Sequence, residues 1–200
     1  MHIVEDDLSL RRALQGFFRS ADIATRIYTS AQEFFAQKWN DGHGCMLIDV
    51  SLPGLNGLDF YEQLKAQGVL VPAIIMTGFG DIPMSVRAMK AGAVDFLSKP
   101  FEDDELLAAV SSALAKDALR RSQLAQTSEL MARLNALTPR ERQVFERVVR
   151  GWMNKQIAGD FGLSEITVKI HRASVMRKMQ AKTLADLVRM AQQLEVAPEA

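Results

Sequence analysis

A single cysteine, Cys45, stands among the 200 residues, so an internal disulfide framework is excluded. With only three scattered histidines beside it, a structural zinc site, which wants four closely spaced N or S ligands, is not expected. Cys45 itself reads as a small buried hydrophobe at the start of a strand. No run approaches the roughly eighteen apolar residues that a membrane-spanning helix needs. The opening His2-Ile3-Val4 turns acidic at Glu5, unlike the long apolar stretch of a secretory signal. The cytoplasm is the expected compartment, with no membrane partner.

Net charge is missing too, with 24 basic residues balancing 24 acidic ones, but the two signs are segregated. Residues 138–200 hold 11 Lys and Arg against 7 Asp and Glu, a net of +4, which leaves −4 on residues 1–137. That asymmetry suits a basic module that meets a polyanion and an acidic module that meets something else. Glycine and proline are absent from residues 115–135, which favours a helical connection over a floppy tether. No internal repeat or low-complexity tract interrupts the chain. Its length leans toward two small domains.

What is present in residues 1–115 is an alternation of short apolar runs and amphipathic stretches. Strands are expected at Ile3-Val4, from Ala24 to Tyr28, from Cys45 to Asp49, from Pro72 to Thr77 and from Val94 to Leu97. Leu10, Leu14, Phe17 and Phe18 share one helical face, and Asp7 is placed to cap that helix. Ser30 and Glu33 predict a reciprocal capping box. Further helices fit residues 57–67 and 82–91, and another begins near Asp103. Five βα units in this order predict a doubly wound five-stranded parallel sheet with helices on both faces. Ligands of such sheets bind beyond the carboxyl ends of the strands, where the strand order switches. Glu5, Asp6, Asp49, Thr77 and Lys99 all fall at or just past such ends and are expected to meet.

Three carboxylates in one place need a cation to offset their repulsion. Hard oxygen donors suit Mg²⁺, which keeps several waters and accepts a phosphate oxygen. A carboxylate can also attack phosphorus, with a lysine and a hydroxyl neutralising the transferring group. At these positions the sequence resembles the receiver domain of response regulators. The likeness runs through Ile3-Val4-Glu5-Asp6-Asp7, Leu47-Ile48-Asp49, Pro53 to Gly57, Met76-Thr77-Gly78 and Lys99-Pro100-Phe101. Gly78 to Met84 and Ala88 to Ala93 are most similar to the nitrogen-fixation type of regulator. The resemblance implies a flavodoxin-like fold with Asp49 as phosphoacceptor. Asp6, Asp49 and the carbonyl of Ser51 would hold Mg²⁺, with Glu5 assisting through water. Thr77 and Lys99 would grip the phosphoryl group, and Phe96 would reorient when it arrives. The first strand is shorter than the family's, which would weaken a sheet edge. An aspartate-nucleophile phosphatase would want an acid two residues after Asp49, where Ser51 stands.

Residues 138–193 read instead as four short helices. Thr138-Pro139-Arg140-Glu141 combines a capping threonine, a proline in the first turn and a closing glutamate. Gly151 ends that helix and Asn154 opens the next. Gly162 makes a tight turn into Ser164, which caps a helix running toward Met179, and Thr183 caps the last. Residues 165–182 carry Lys169, Arg172, Arg177, Lys178 and Lys182 against Glu165 alone. Positions 165, 169, 172, 173 and 176 share its outer face, while Val168, Val175 and Met179 turn inward. A cationic helix after a tight turn suits a DNA major groove, although a solvated face of a docking bundle would look the same.

Leu137 to Glu141, Asn154 to Ala158, Leu163-Ser164 and Thr167 to Lys178 resemble the DNA-binding domain of the quorum-sensing activators. That likeness implies that Lys169, Ile170 and Ala173 face base edges. Asn154, Lys155, Thr167, Arg172 and Arg177 would lie nearer phosphates, and His171 would have no metal role. The whole chain then reads as a receiver (residues 1–115), a helical linker (116–135) and a helix-turn-helix domain (136–200). It is similar to regulators of aromatic-compound catabolism and of microaerobic metabolism, rather than to an enzyme. Its expected partners are a histidine kinase, DNA and, on phosphorylation, a second copy of itself. A receiver whose phosphorylation is vestigial, or an adaptor whose C-terminal bundle binds protein, would share these features.

Overall fold

A computed structural model of the chain describes residues 1–37, 43–78 and 82–196. Residues 79–81, inside the stretch most similar to nitrogen-fixation regulators, lie outside the described residues. The chain divides into two compact units, 1–120 and 121–200.

The first unit is built on a parallel sheet of β1 (His2–Val4), β2 (Arg26–Tyr28), β3 (Met46–Asp49), β4 (Ala73–Thr77) and β5 (Asp95–Ser98). Their spatial order is β2-β1-β3-β4-β5, with all pairings parallel. The doubly wound, flavodoxin-like architecture is therefore present. Side chains alternate across the pleat and divide the core in two. On one face Ile3, Leu47, Ile74, Met76 and Leu97 pack with Leu14 and Phe18 of α1 (Leu8–Ser20). Leu106, Ala109, Val110 and Ala113 of α5 (Asp103–Asn135) complete that layer. On the other face Val4, Met46, Ile48 and Ile75 meet Phe34 of α2 (Ala31–Ala36), Phe60 of α3 (Gly57–Ala66) and Ala88 of α4 (Ile82–Lys90).

Several local expectations change in detail. The short β1 is no sheet edge, because it pairs with β2 on one side and β3 on the other. Its three residues are anchored twice. Cys45 is fully buried but precedes β3 rather than opening it. Asp7 caps α1 by accepting from the Leu10 N–H at 2.7 Å. The Ser30 box closes on one side only: Ser30 Oγ accepts from the Glu33 N–H at 3.2 Å. The Glu33 carboxylate turns instead to Thr29, whose N–H (2.6 Å) and hydroxyl (2.7 Å) offer two donors together.

The second unit takes in the last part of α5, α6 (Pro139–Val149), α7 (Asn154–Phe161), α8 (Glu165–Met179) and α9 (Leu184–Gln193). Their apolar stripes share one core that includes Leu134, Phe145, Val148, Ile157, Val168, Val175, Met179 and Leu187. Gly162, at φ 63°, ends α7 in the left-handed conformation that glycine adopts without penalty. Ser164 then caps α8 by accepting from the Thr167 N–H at 3.1 Å.

The Thr138 box is complete, and its glutamate does more than cap. Glu141 accepts from Thr138 N–H (2.7 Å), from Ser174 Oγ (2.6 Å) and from Lys178 Nζ (2.6 Å), so it bolts α6 to α8. Lys178 foremost, then Ser174 and Thr138, holds its carboxyl down to about 2. A folded value below the unfolded one means that the stabilisation is full above the ordinary carboxylate range and disappears as pH falls through about 2. Glu141→Gln should therefore cost about 1–3 kcal/mol at neutral pH. That deficit should shrink on acidification, because the wild type alone loses the charged contact. Urea midpoints of both proteins at stepped pH measure this. A pH-independent difference between them would contradict it.

Candidate functional site

In a sheet of order β2-β1-β3-β4-β5 the chain leaves β1 toward one edge and enters β3 toward the other, opening a crevice beyond their carboxyl ends. Val4 is level with Ile48, Asp49 with Met76, and Thr77 with Ser98, so the next residues emerge side by side. Glu5 and Asp6 follow β1, Asp49 ends β3, Thr77 ends β4 and Lys99 follows β5. Backbone bonds fix these exits: Glu5 N–H to Tyr28 O (3.0 Å), Val50 N–H to Met76 O (2.8 Å) and Lys99 N–H to Thr77 O (2.7 Å).

The side chains of Glu5, Asp6, Asp49 and Lys99 come together here, with Thr77 buried at the neighbouring strand end. Lys99 Nζ donates to Asp49 Oδ1 at 2.7 Å and to Glu5 Oε2 at 2.8 Å. Asp49 Oδ2 accepts from the Ser51 N–H at 3.1 Å, and Glu5 Oε1 from the Asp7 N–H at 3.2 Å. Glu5, Asp49 and Thr77 are buried, whereas Asp6 is exposed. Burial pushes the Glu5 carboxyl up, against the pull of Lys99. Burial also works against the Lys99 ammonium, but its bonds to Asp49 and Glu5 outweigh that and raise it.

One carboxylate oxygen from each of Glu5, Asp6 and Asp49 lies within 4.8 Å of the others. Asp6 makes no hydrogen bond or ion pair among the described residues. The donor set is all hard oxygen, with two carboxylates buried and one open to water, which fits a partly hydrated Mg²⁺. Phe96 is half-buried on β5, level with Ile75 and packed against that face's core.

Gly57, which the sequence marks only as part of a motif, proves to be structural to this site. It is buried at the start of α3, and its N–H donates to Val50 O at 2.9 Å. A Cβ there would stand 2.0 Å from the carbonyl oxygen of Asp49. Only the glycine lets α3 begin so close to the end of β3. Asp117 was also not foreseen: it is buried on α5, accepting from the Gly44 N–H (2.9 Å) and paired with Arg120 (2.8 Å). A charged residue in a helix-forming stretch carries no signal that it faces inward.

On α8, Lys169, Ile170, Ala173 and Arg177 are exposed, as is Lys155 on α7. Other side chains of this face have partners within the module. Arg172 Nη1 donates to Asn154 Oδ1 at 3.1 Å, so these two side chains engage each other. Lys178, counted with the cationic face, is held by Glu141 and by the carbonyl of Ala136 at 3.2 Å. Met176 packs against the core rather than facing out. Thr167 is half-buried, its hydroxyl 2.8 Å from that of the cap Ser164. Val168, Val175 and Met179 are buried as the periodicity requires.

An acidic crevice with a lysine at the switch point of this sheet, followed by a four-helix basic module, defines a signal-receiving regulator that binds DNA. The chain belongs to the response regulators: residues 1–111 match the response regulator receiver domain, and residues 135–191 match the luxR family of bacterial regulatory proteins. It is 48% identical over 195 residues to nodulation protein W of Bradyrhizobium diazoefficiens, covering 98% of this chain and 86% of that one. It is 43% identical over 198 residues to the transcriptional regulatory protein FixJ of Azorhizobium caulinodans, covering 99% and 94%. Among solved structures, the response regulator StyR superposes with a TM-score of 0.85 at 41% identity, covering 96% of this chain and 97% of that one. The chain is thus a transcriptional regulator of the FixJ and TodT kind. No helix of the described residues is long and apolar enough to cross a membrane.

Proposed function

We propose that Asp49 accepts a phosphoryl group from a histidine kinase and that this controls promoter binding through α8. In this reading residues 1–115 act as receiver, 116–135 as linker and 136–200 as the DNA-binding module. The observation that carries it is that Asp49 and Glu5 both lie within 2.8 Å of Lys99 Nζ at the switch point. An Asp49 carboxylate oxygen attacks phosphorus as the bond to the donor's imidazole nitrogen breaks, and that nitrogen takes up a proton. Lys99 shifts its hydrogen bonds toward the incoming oxygens, and the Thr77 hydroxyl donates to another. Asp6, Asp49 and the Ser51 carbonyl, with Glu5 behind them, would hold Mg²⁺. Bound there, the ion would supply positive charge against the phosphoryl oxygens.

Movement of Thr77 and Phe96 would then rebuild the surface of residues 82–115 and favour a dimer. Ile82, Val86 and Met89 already expose an apolar strip on α4 that a second copy can cover. A phosphoryl group shifts this equilibrium only as far as it prefers the active arrangement. Sedimentation with beryllofluoride and Mg²⁺ should show the dimer fraction rising, and footprinting with acetyl phosphate should show promoter protection strengthening. An unchanged mass at all concentrations would refute the dimer, and unchanged protection would refute phosphorylation control.

The same reading assigns different tasks along α8. Lys169 lies in its early turns, which a recognition helix presents to base edges, whereas Arg177 runs out along the backbone. Lys169→Ala should cost about 1–3 kcal/mol on a specific site and little on random DNA. Arg177→Ala should weaken both alike and lower the salt slope by roughly one. Salt titrations on selected and scrambled duplexes separate the two. Identical behaviour of the variants would remove α8 from the groove.

A further inference from the structure

The outer face of α8 carries more exposed hydrocarbon than a solvated helix face should. Ile166 is 71% exposed and Ile170 64% exposed, among the most open large apolar side chains of the described residues. Neither supports the core, since Val168, Val175 and Met179 fill the inward stripe. Residues 166, 170 and 173 follow one another at intervals of four and three, so Ile166, Ile170 and the exposed Ala173 form one strip along the helix. The exposed charges of the same helix are mostly cationic. Lys169 sits beside the strip and Arg177 lies further along, against Glu165 alone in the first turn.

A protein partner that wanted the apolar strip would have to accept those charges, whereas a DNA groove wants both. Phosphates flank the major groove, and thymine alone presents a methyl group on its floor. We propose that the strip Ile166, Ile170 and Ala173 selects thymine at two or more base pairs by covering its C5-methyl groups. The proposal rests on the reading of α8 as the helix that enters the major groove. It adds Ile166, which the sequence did not single out, and it fixes the base that is read. Ala173 has a task here as well: a short side chain lets the helix backbone approach the bases closely, so the two isoleucines reach the groove floor. A longer side chain at that position would hold them away.

The test uses the full chain with acetyl phosphate and Mg²⁺ in every binding reaction. A site is first selected from randomised duplexes, and each of its thymines is then replaced by deoxyuridine. Uracil pairs identically and lacks only the methyl, so the DNA-side change does not depend on any variant folding. Wild type should lose about fourfold in affinity at each methyl that is covered. Ile166→Ala and Ile170→Ala should each bind the thymine and uracil duplexes equally at one of those positions, while Lys169→Ala keeps the ratio. Equal binding of thymine and uracil by wild type at every position would overturn the inference while leaving DNA binding intact. Ratios unchanged in both isoleucine variants would overturn it as well. Failure to select any site would instead overturn the placement of α8 in DNA, and this inference with it.

Discussion

Asp49→Asn should take up no phosphoryl group from acetyl phosphate, while wild type gains the mass of one. The substitution keeps the shape of a buried side chain and removes the nucleophilic carboxylate oxygen. The amide that replaces it has its nitrogen lone pair delocalised and cannot displace the leaving group. Lys99 would keep its bond to Glu5, 2.8 Å long in the native pocket, so the variant should fold. Replacing the exposed Asp6 by Ala should separate metal from nucleophile. Uptake should slow and demand more Mg²⁺, yet still end on Asp49, and a chelator should stop it in both proteins. Intact mass against time decides the matter. Equal incorporation in wild type and Asp49→Asn would move the acceptor elsewhere, and unchanged Mg²⁺ demand in Asp6→Ala would name the wrong acid.

The pocket was legible because its parts lie at strand ends, and strand ends can be read from short apolar runs followed by polar residues. Glu5, Asp49 and Lys99 are distant in sequence, but parallel topology forces them to one edge. Boundaries were less legible. Cys45, Pro72 and Val94 are apolar like the strands they precede, yet each lies just outside the ladder. The limits of the DNA module were of another kind. Helical periodicity told inward from outward on α8 at Val168, Val175 and Met179, but it could not tell which outward cations were spent. Arg172 and Lys178 find partners on other elements, Asn154 at the start of α7 and Glu141 in the first turn of α6. Those pairings are tertiary, and one sequence carries no trace of them. Asp117 is the same case in the first unit, a carboxylate turned inward to a backbone N–H across 73 residues.

Gly57→Ala should destabilise the protein by about 2–4 kcal/mol, at the upper range for a single added methyl in a packed interior. The conflict is with backbone and not with a side chain that could turn away. The new Cβ would stand 2.0 Å from Asp49 O, 2.8 Å from its carbonyl carbon and 3.0 Å from Ile48 Cγ2. Relief requires α3 to retreat or the end of β3 to shift. Retreat breaks the Gly57 N–H to Val50 O bond of 2.9 Å and disturbs the Asn56 cap, which accepts from the Leu58 N–H at 2.8 Å. A shift of β3 displaces Asp49 from Lys99, so phosphoryl uptake should fall with stability. Two other glycines supply the contrast. Gly16 in α1 and Gly159 in α7 have nothing within 4 Å of an added Cβ. Alanine there should stabilise by about 0.5–1 kcal/mol through helix propensity and a less free unfolded chain. Urea midpoints of the three variants should therefore split in sign, with uptake impaired in Gly57→Ala alone. A Gly57→Ala protein as stable and as readily phosphorylated as wild type would mean that α3 does not start against Asp49 as described.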